Sequence, residues 1–217
     1  MEKRGGAANH FWASSDAMAD YFAVHQHMKD APRKVRTRLR TLDQSMVVLI
    51  TAWWEAYCEQ RVIESAGILF AHAPSPALLP KDLQRSLALS LKRDKNELSP
   101  WSLAGEAWRA EGIKHAESLV DGFSTPNSVN TARLFRDAIG LKDVIDAWNQ
   151  GAGPLSSRWT LDEWTEVRHR IAHTSGPIPN LPKTRVKEYI ALIRGLVRVT
   201  EDAVDSHLLK YTHQPDA

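Results

Sequence analysis

After Pro32 the chain runs to about Phe70 without another proline, and apolar side chains return every three or four positions. Val35, Leu39, Leu42, Met46, Leu49 and Trp53 open this series, and Tyr57, Val62 and Ile63 continue it. The period is that of an α-helix with one apolar seam, and strand-like alternation is absent beyond a few residues. A helix of this length must be covered by other helices, so the fold class is all-α. The stretch from Ala71 to Pro80, with Pro74, Pro76 and Pro80, ends it. The remaining segments keep the same period. Helices are expected over Ser15–Met28, Lys81–Arg93, from Ser99-Pro100-Trp101 to about Asp121, over Thr131–Ile139 before Gly140, and over Leu141–Trp148 before Gly151 and Gly153. Thr160-Leu161-Asp162-Glu163 has the pattern of a capping box and should start the next helix. Thr174-Ser175-Gly176-Pro177 should stop it. A long last helix is expected over Lys183–Leu209, with Ile190, Ile193, Leu196, Val197, Thr200 and Val204 as its seam. The expectation is one helical domain over residues 1–217, with a long early and a long C-terminal helix and ragged ends at 1–9 and 212–217.

Hydrophobic residues make up 43% of the 217, enough for a sizeable core. The net charge is only +2, so any affinity for nucleic acid must come from local patches. The single cysteine, Cys58, sits in an apolar run; it allows no disulfide within the chain and suits a reducing compartment. Neither a signal peptide nor a membrane-spanning run is visible, and a cytoplasmic protein without a membrane partner is expected.

The chemistry-bearing residues concentrate in Glu166-Val167-Arg168-His169-Arg170-Ile171-Ala172-His173-Thr174. On a helical wheel with Arg168 at zero, Trp164, Val167 and Ile171 fall at roughly 260–320°, the expected core side. Ala172, His169 and His173 fall at about 40, 100 and 140°. Arg168, His169 and His173 are therefore expected on a polar flank, where Ala172 would let another helix approach closely. Cleavage of RNA by its own 2′-hydroxyl requires a base for that proton, an acid for the leaving 5′-oxygen and positive charge on the phosphate. Histidine serves as either base or acid near neutral pH. Arginine grips phosphate oxygens with a planar fork. The bare arginine-to-histidine spacing also occurs at Arg4–His10 and Arg109–His115. Only Arg168 is followed by a polar residue and an Ile-Ala-His ending.

At these residues the chain resembles the HEPN superfamily, whose signature is an arginine, a polar residue and a histidine a few positions on. The closest likeness is to the RiboL-PSP-HEPN subgroup, whose motif often runs Arg-Asn-x-Ile-Ala-His-Gly. Val47–Tyr57 looks like that subgroup's long early helix with an embedded glutamate, Glu55. Asn130–Leu141 looks like its short helix ending in an Ile-Gly pair. The resemblance covers roughly residues 35 to 205. It implies an all-α bundle that dimerises through the motif helix, and for many members a metal-independent endoribonuclease acting as a toxin or in phage defence. By that likeness Arg168, His173 and His169 are the catalytic set, RNA is the substrate, no cofactor is needed, and an antitoxin or defence-complex partner is a possible companion. The alternative function is a non-catalytic module binding nucleotide, RNA or protein within a larger complex. Two departures stand out. His169 replaces the commoner Asn, and Thr174-Ser175 occupy positions where the subgroup often has Gly and another subgroup has Tyr.

Further candidates each have a plainer reading. His169 and His173 are four apart, as in helical zinc sites, but Arg170 stands where the protease pattern needs glutamate, and flanking arginines disfavour a metal. Arg33, Lys34, Arg36 and Arg40 could hold RNA phosphates, or could form a solvated face opposite the Val35–Leu39 seam. Glu55 could orient Arg168 or a histidine, or could be a surface residue beside Trp53-Trp54. The other histidines form no cluster.

Overall fold

The computed structural model describes residues 5–28, 32–151, 157–173 and 181–212, with side chains undescribed at 33–37, 151 and 157–159. No strand occurs among the described residues. The helices are α1 (Gly6–Asp16), α2 (Met18–His27), α3 (Arg33–His72), α4 (Lys81–Arg93), α5 (Ala107–Asp121), α6 (Ser128–Ile139), α7 (Val144–Gly151), α8 (Ser157–His173) and α9 (Lys183–Thr212), with short 3-10 turns at Pro76–Leu78 and Ser99–Leu103.

The spine is α3, whose 40 residues extend about 60 Å. Helices α1, α5, α6, α8 and α9 pack around it. Its buried line is Val47, Ile50, Trp54, Tyr57, Cys58 and Val62, running on to Leu69 and Phe70. This differs from the expected seam: Leu49 is 41% exposed, and Trp53 and Ile63 are only partly buried. A helix enclosed by several neighbours buries more than one stripe, so it also encloses polar residues. Asp43, Thr51, Arg61 and Ser65 are all buried on α3. Each has a partner, as buried polar groups require. Arg61 pairs with Glu201 at 2.9 Å and also with Asp205. Tyr57 donates to Glu201 at 2.7 Å. Thr51 and Tyr189 share a hydrogen bond of 2.8 Å. Asp43 accepts from Tyr21 and meets His25 at 2.8 Å, which ties α2 to α3. Burial pushes the Cys58 thiol well above its ordinary range, so it is an unreactive core residue.

The N-terminal region corrects the sequence in two ways. The expected single helix over Ser15–Met28 is two helices broken at Ala17, and the first begins at Gly6, inside the stretch expected to be ragged. Ala7, Ala8 and Phe11 are buried, and Glu64 on α3 accepts the Ala7 backbone N–H at 2.8 Å. A carboxylate at a helix N-terminus meets both an unpaired N–H and the positive end of the dipole.

The helix expected from Ser99 starts late. Ser99–Leu103 is a 3-10 turn, the chain reverses at Gly105 with φ 59°, and α5 begins at Ala107. α6 is capped by the Asn127 side chain, which accepts from the Asn130 N–H at 2.8 Å, and ends at Gly140 with φ 75°. α9 buries its whole expected seam, Ile190, Ile193, Leu196, Val197, Thr200 and Val204. No helix among the described residues is long and apolar enough to cross a membrane.

Candidate functional site

α8 begins at Ser157, ahead of the Thr160-Leu161-Asp162-Glu163 box, so that box does not start it. Asp162 instead reaches across to α6. Its two carboxylate oxygens accept from the Ser128 N–H at 2.7 Å and the Ser128 hydroxyl at 2.8 Å. The first turn of α6 is thereby fastened to α8. Trp54 donates its indole N–H to the Pro126 carbonyl at 3.2 Å, which pins the loop leading into α6 against α3.

The buried face of α8 runs through Leu161, Trp164 and Thr165, with Val167 and Ile171 partly buried. The Trp164 ring stacks on Tyr189 of α9, with centroids 4.5 Å apart and planes at 15°. The Arg185 guanidinium lies over the Trp164 ring, 5.5 Å from its centroid. Arg168 continues the line Leu161–Trp164 at helical spacing and is half-buried, closer to the core than a purely polar flank would place it. Its charge is felt by Glu55 on α3 and by Tyr189 on α9. It makes no ion pair with a described carboxylate.

Glu55 is half-buried, and burial with the neighbouring Glu59 raises its carboxyl above the usual range, while Arg168 works the other way. Its link to the motif is one of charge, with no direct ion pair to Arg168. The Tyr189 phenol is also pushed up by burial and stays protonated, hydrogen-bonded to Thr51.

His169 and His173 are both exposed on the outer face, one turn apart, with ring centroids 4.7 Å apart and planes at 41°. Ala172 is exposed beside them, and Arg170 turns away towards Glu166 at 4.0 Å. The motif thus offers a half-buried guanidinium with no ion pair among the described residues and two solvent-facing imidazoles on one helix. Among the described residues no three His, Cys, Asp or Glu side chains gather as a metal ligand set. The residues following His173, including Thr174 and Ser175, lie outside the described residues.

Arg40 is exposed on α3, and the side chains of Arg33, Lys34 and Arg36 lie outside the described residues. Sequence reasoning missed Asp162 as the link between α8 and α6, since nothing local marks its distant partner.

An all-helical frame with an arginine–polar–histidine run on its penultimate helix is that of a HEPN domain. The RiboL-PSP-HEPN family model matches residues 15–206, and the chain belongs to that family. HEPN domains are RNase-like or nucleotide-binding modules that bind RNA and often dimerise. No curated protein and no solved structure matches the chain.

Proposed function

We propose that the chain is an endoribonuclease that cleaves RNA without a metal ion, through attack of the 2′-hydroxyl on the adjacent phosphate. The observation that carries this is Arg168, half-buried and without an ion-pair partner among the described residues, on the same helix as two exposed imidazoles. Arg168 holds the phosphate and stabilises its transition-state charge. His173 is the principal general base or acid, and His169 assists by hydrogen bonding or shares proton transfer. Glu55 on α3 supports the site through its charge interaction with Arg168, without a direct ion pair. The products are a 2′,3′-cyclic phosphate, or a 3′-phosphate, and a 5′-hydroxyl. Ala172 leaves the outer face of α8 low enough for a second copy to dock there, so a homodimer would set two motifs across one groove. The biological role that suits such an enzyme is a toxin or phage-defence effector.

The test is cleavage of total RNA by the purified chain in EDTA, beside Arg168→Ala and His173→Ala. We expect loss of cleavage of at least about a hundredfold in each, the low end for a general acid–base group, with melting temperature and oligomeric state unchanged. Activity equal to the parent in either variant overturns the assignment. Induced in cells, the parent should fragment RNA and slow growth, and His173→Ala should not. A second reading rests on the exposure of both imidazoles, which have no hydrogen-bond partner among the described residues to orient them. It is a module that binds RNA, nucleotide or protein without cleaving, and it predicts RNA binding with no product at any pH.

A further inference from the structure

Away from α8, helices α4, α5 and α6 enclose an open cleft of about 420 Å³. A second, of about 250 Å³, adjoins it and shares Ser118, Leu119 and Asp137. No described side chain of α8 lines either. The larger is within the range of about 300–1,000 Å³ typical of small-ligand sites.

Its walls have a consistent chemistry. Arg85, Ser86, Leu89, Ser90 and Arg93 all line it from α4. These positions recur at three and four residues, so a single face of α4 carries guanidinium, hydroxyl and apolar groups in turn. Opposite, α6 supplies Arg136 to the larger cleft and Arg133 to the smaller. The floor is α5, with His115, Ser118 and Leu119.

Four guanidiniums therefore rim a trough holding two carboxylates, Asp82 and Asp137. Arg93 and Arg133 are exposed, and neither makes an ion pair with a described residue. Arg85 is 73% exposed on its side chain and touches Asp82 at 3.3 Å. Asp82 is also held by Lys142 at 2.9 Å. Arg85 can thus swing to an incoming anion without leaving that carboxylate unpaired. Arg136 pairs with Asp137, its neighbour in sequence, at 2.8 Å. Between the guanidiniums, Ser86 is fixed by a 2.8 Å hydrogen bond to His115 Nε2. Leu89, 51% exposed, and the partly buried Leu119 give an apolar strip.

Guanidinium forks and hydroxyls suit phosphate oxygens. The Leu89–Leu119 strip suits the flat face of a base or the carbon side of a ribose. A simple anion would leave the strip unused, and an apolar ligand would leave four guanidiniums unused. We propose that this trough binds ribonucleotides through their phosphates, as a free nucleotide or as a stretch of RNA. It is a site separate from Arg168, and nothing in the argument depends on cleavage.

The test uses the full chain carrying His173→Ala, in EDTA, so that bound RNA stays whole. Binding of a fluorescein-labelled single-stranded RNA of about twenty nucleotides, long enough for several phosphate contacts, is read by anisotropy across a salt series. Arg93→Gln with Arg133→Gln removes two charges from the trough. Lys210→Glu, exposed at the far end of α9, changes the net charge by the same amount. We expect the trough variant to lose about tenfold or more in affinity, and its salt slope to fall by about one to two. The Lys210 control should stay within about twofold. Displacement of the RNA by millimolar ATP identifies a free-nucleotide site; the same tenfold loss without displacement by ATP identifies an RNA-strand site. Binding of the trough variant within twofold of its parent, or an equal loss in the control, overturns the proposal. If the chain proves unable to cleave RNA, this binding result still stands or falls alone.

Discussion

Asp162→Ala should be among the most damaging single changes at the surface of this protein. Ser128 is fully buried, and its backbone N–H and hydroxyl donate to the two oxygens of Asp162 at 2.7 and 2.8 Å. Ser128 opens α6, so its N–H is among the first four of that helix, which have no partner within it. Asn127 covers the Asn130 N–H and leaves that of Ser128 to Asp162. Alanine at 162 strands two buried donors. A hydrogen bond to a charged acceptor contributes about 1.5–3 kcal/mol. Asp162 is itself only half-buried, so water reaches part of the vacated space, and the low end applies: about 3 kcal/mol for the pair. In a domain of this size that lowers the melting temperature by roughly 5–15 °C. Urea denaturation should show a lower midpoint with an unchanged slope. Asp162→Asn retains an acceptor without the charge and should lose about half as much. Combined with Ser128→Ala, the double-mutant cycle should return a coupling of about 1 kcal/mol or more. A stability for Asp162→Ala within about 0.5 kcal/mol of the parent, the range of ordinary surface substitutions, would refute the reasoning, as would a coupling near zero.

Glu55→Gln tests the carboxyl beside Arg168. Burial first, then Glu59, raises its affinity for the proton above the ordinary value of 4.5. The folded state then binds that proton more tightly than the unfolded state, so its stabilising contribution is full below about pH 4.5 and is lost as pH rises through the raised folded value. Urea midpoints between pH 4 and 7 should fall less steeply for Glu55→Gln than for the parent, with the variant ahead at pH 7; parallel curves would exclude the effect. Two glycines in helices should respond oppositely to alanine. At Gly112 a Cβ would lie 2.0 Å from the ring of buried Phe70, and overpacking of this kind costs about 1–3 kcal/mol, more than alanine's helix preference returns. At Gly67 nothing lies within 4 Å, so Gly67→Ala should gain about 0.5–1 kcal/mol. Thermal melts that rank the two variants the other way would contradict the packing.

What could be read from the chain was local. The α9 seam was legible because that helix buries one stripe at regular spacing, mostly aliphatic, with Tyr189, Thr200, Glu201 and His207 in line with it. The motif was legible because Arg168, His169 and His173 lie on one helix, where spacing alone sets their relative directions. On α3 the same method chose Leu49, which is exposed, because a helix packed on several sides has no unique seam and encloses Asp43, Thr51 and Arg61 as well. The start of α1 was missed because its contacts are made by alanine and glycine, and its first turn is held by Glu64, far along the chain. The late start of α5 turns on the left-handed conformation of Gly105. Asp162 has the sequence surroundings of a cap for its own helix, and only the tertiary arrangement gives it to α6. The trough joins one face of α4 to arginines of α6, a pairing that only the fold brings about.

The position of Arg168 bears on how the proposed chemistry would work. A buried guanidinium without a counter-ion is costly, and one neutralised by a carboxylate competes poorly for phosphate. Arg168 avoids both extremes. It is half-buried on α8, its charge is felt by Glu55 of α3 and Tyr189 of α9, and it makes no ion pair with a described carboxylate. Partial burial limits the side chain's freedom, while the lack of an ion pair among the described residues leaves its charge available to an incoming anion. From Arg168 to His173 the helix rises about 7.5 Å and turns about 140°. A phosphate held by the arginine is thus reached by His173 from one side only. Cleavage needs a base and an acid on opposite sides of the phosphorus, and in that geometry one helix supplies only one of them cleanly. A facing α8 from a second copy would supply the other, which is why the proposed dimer and the proposed mechanism depend on each other.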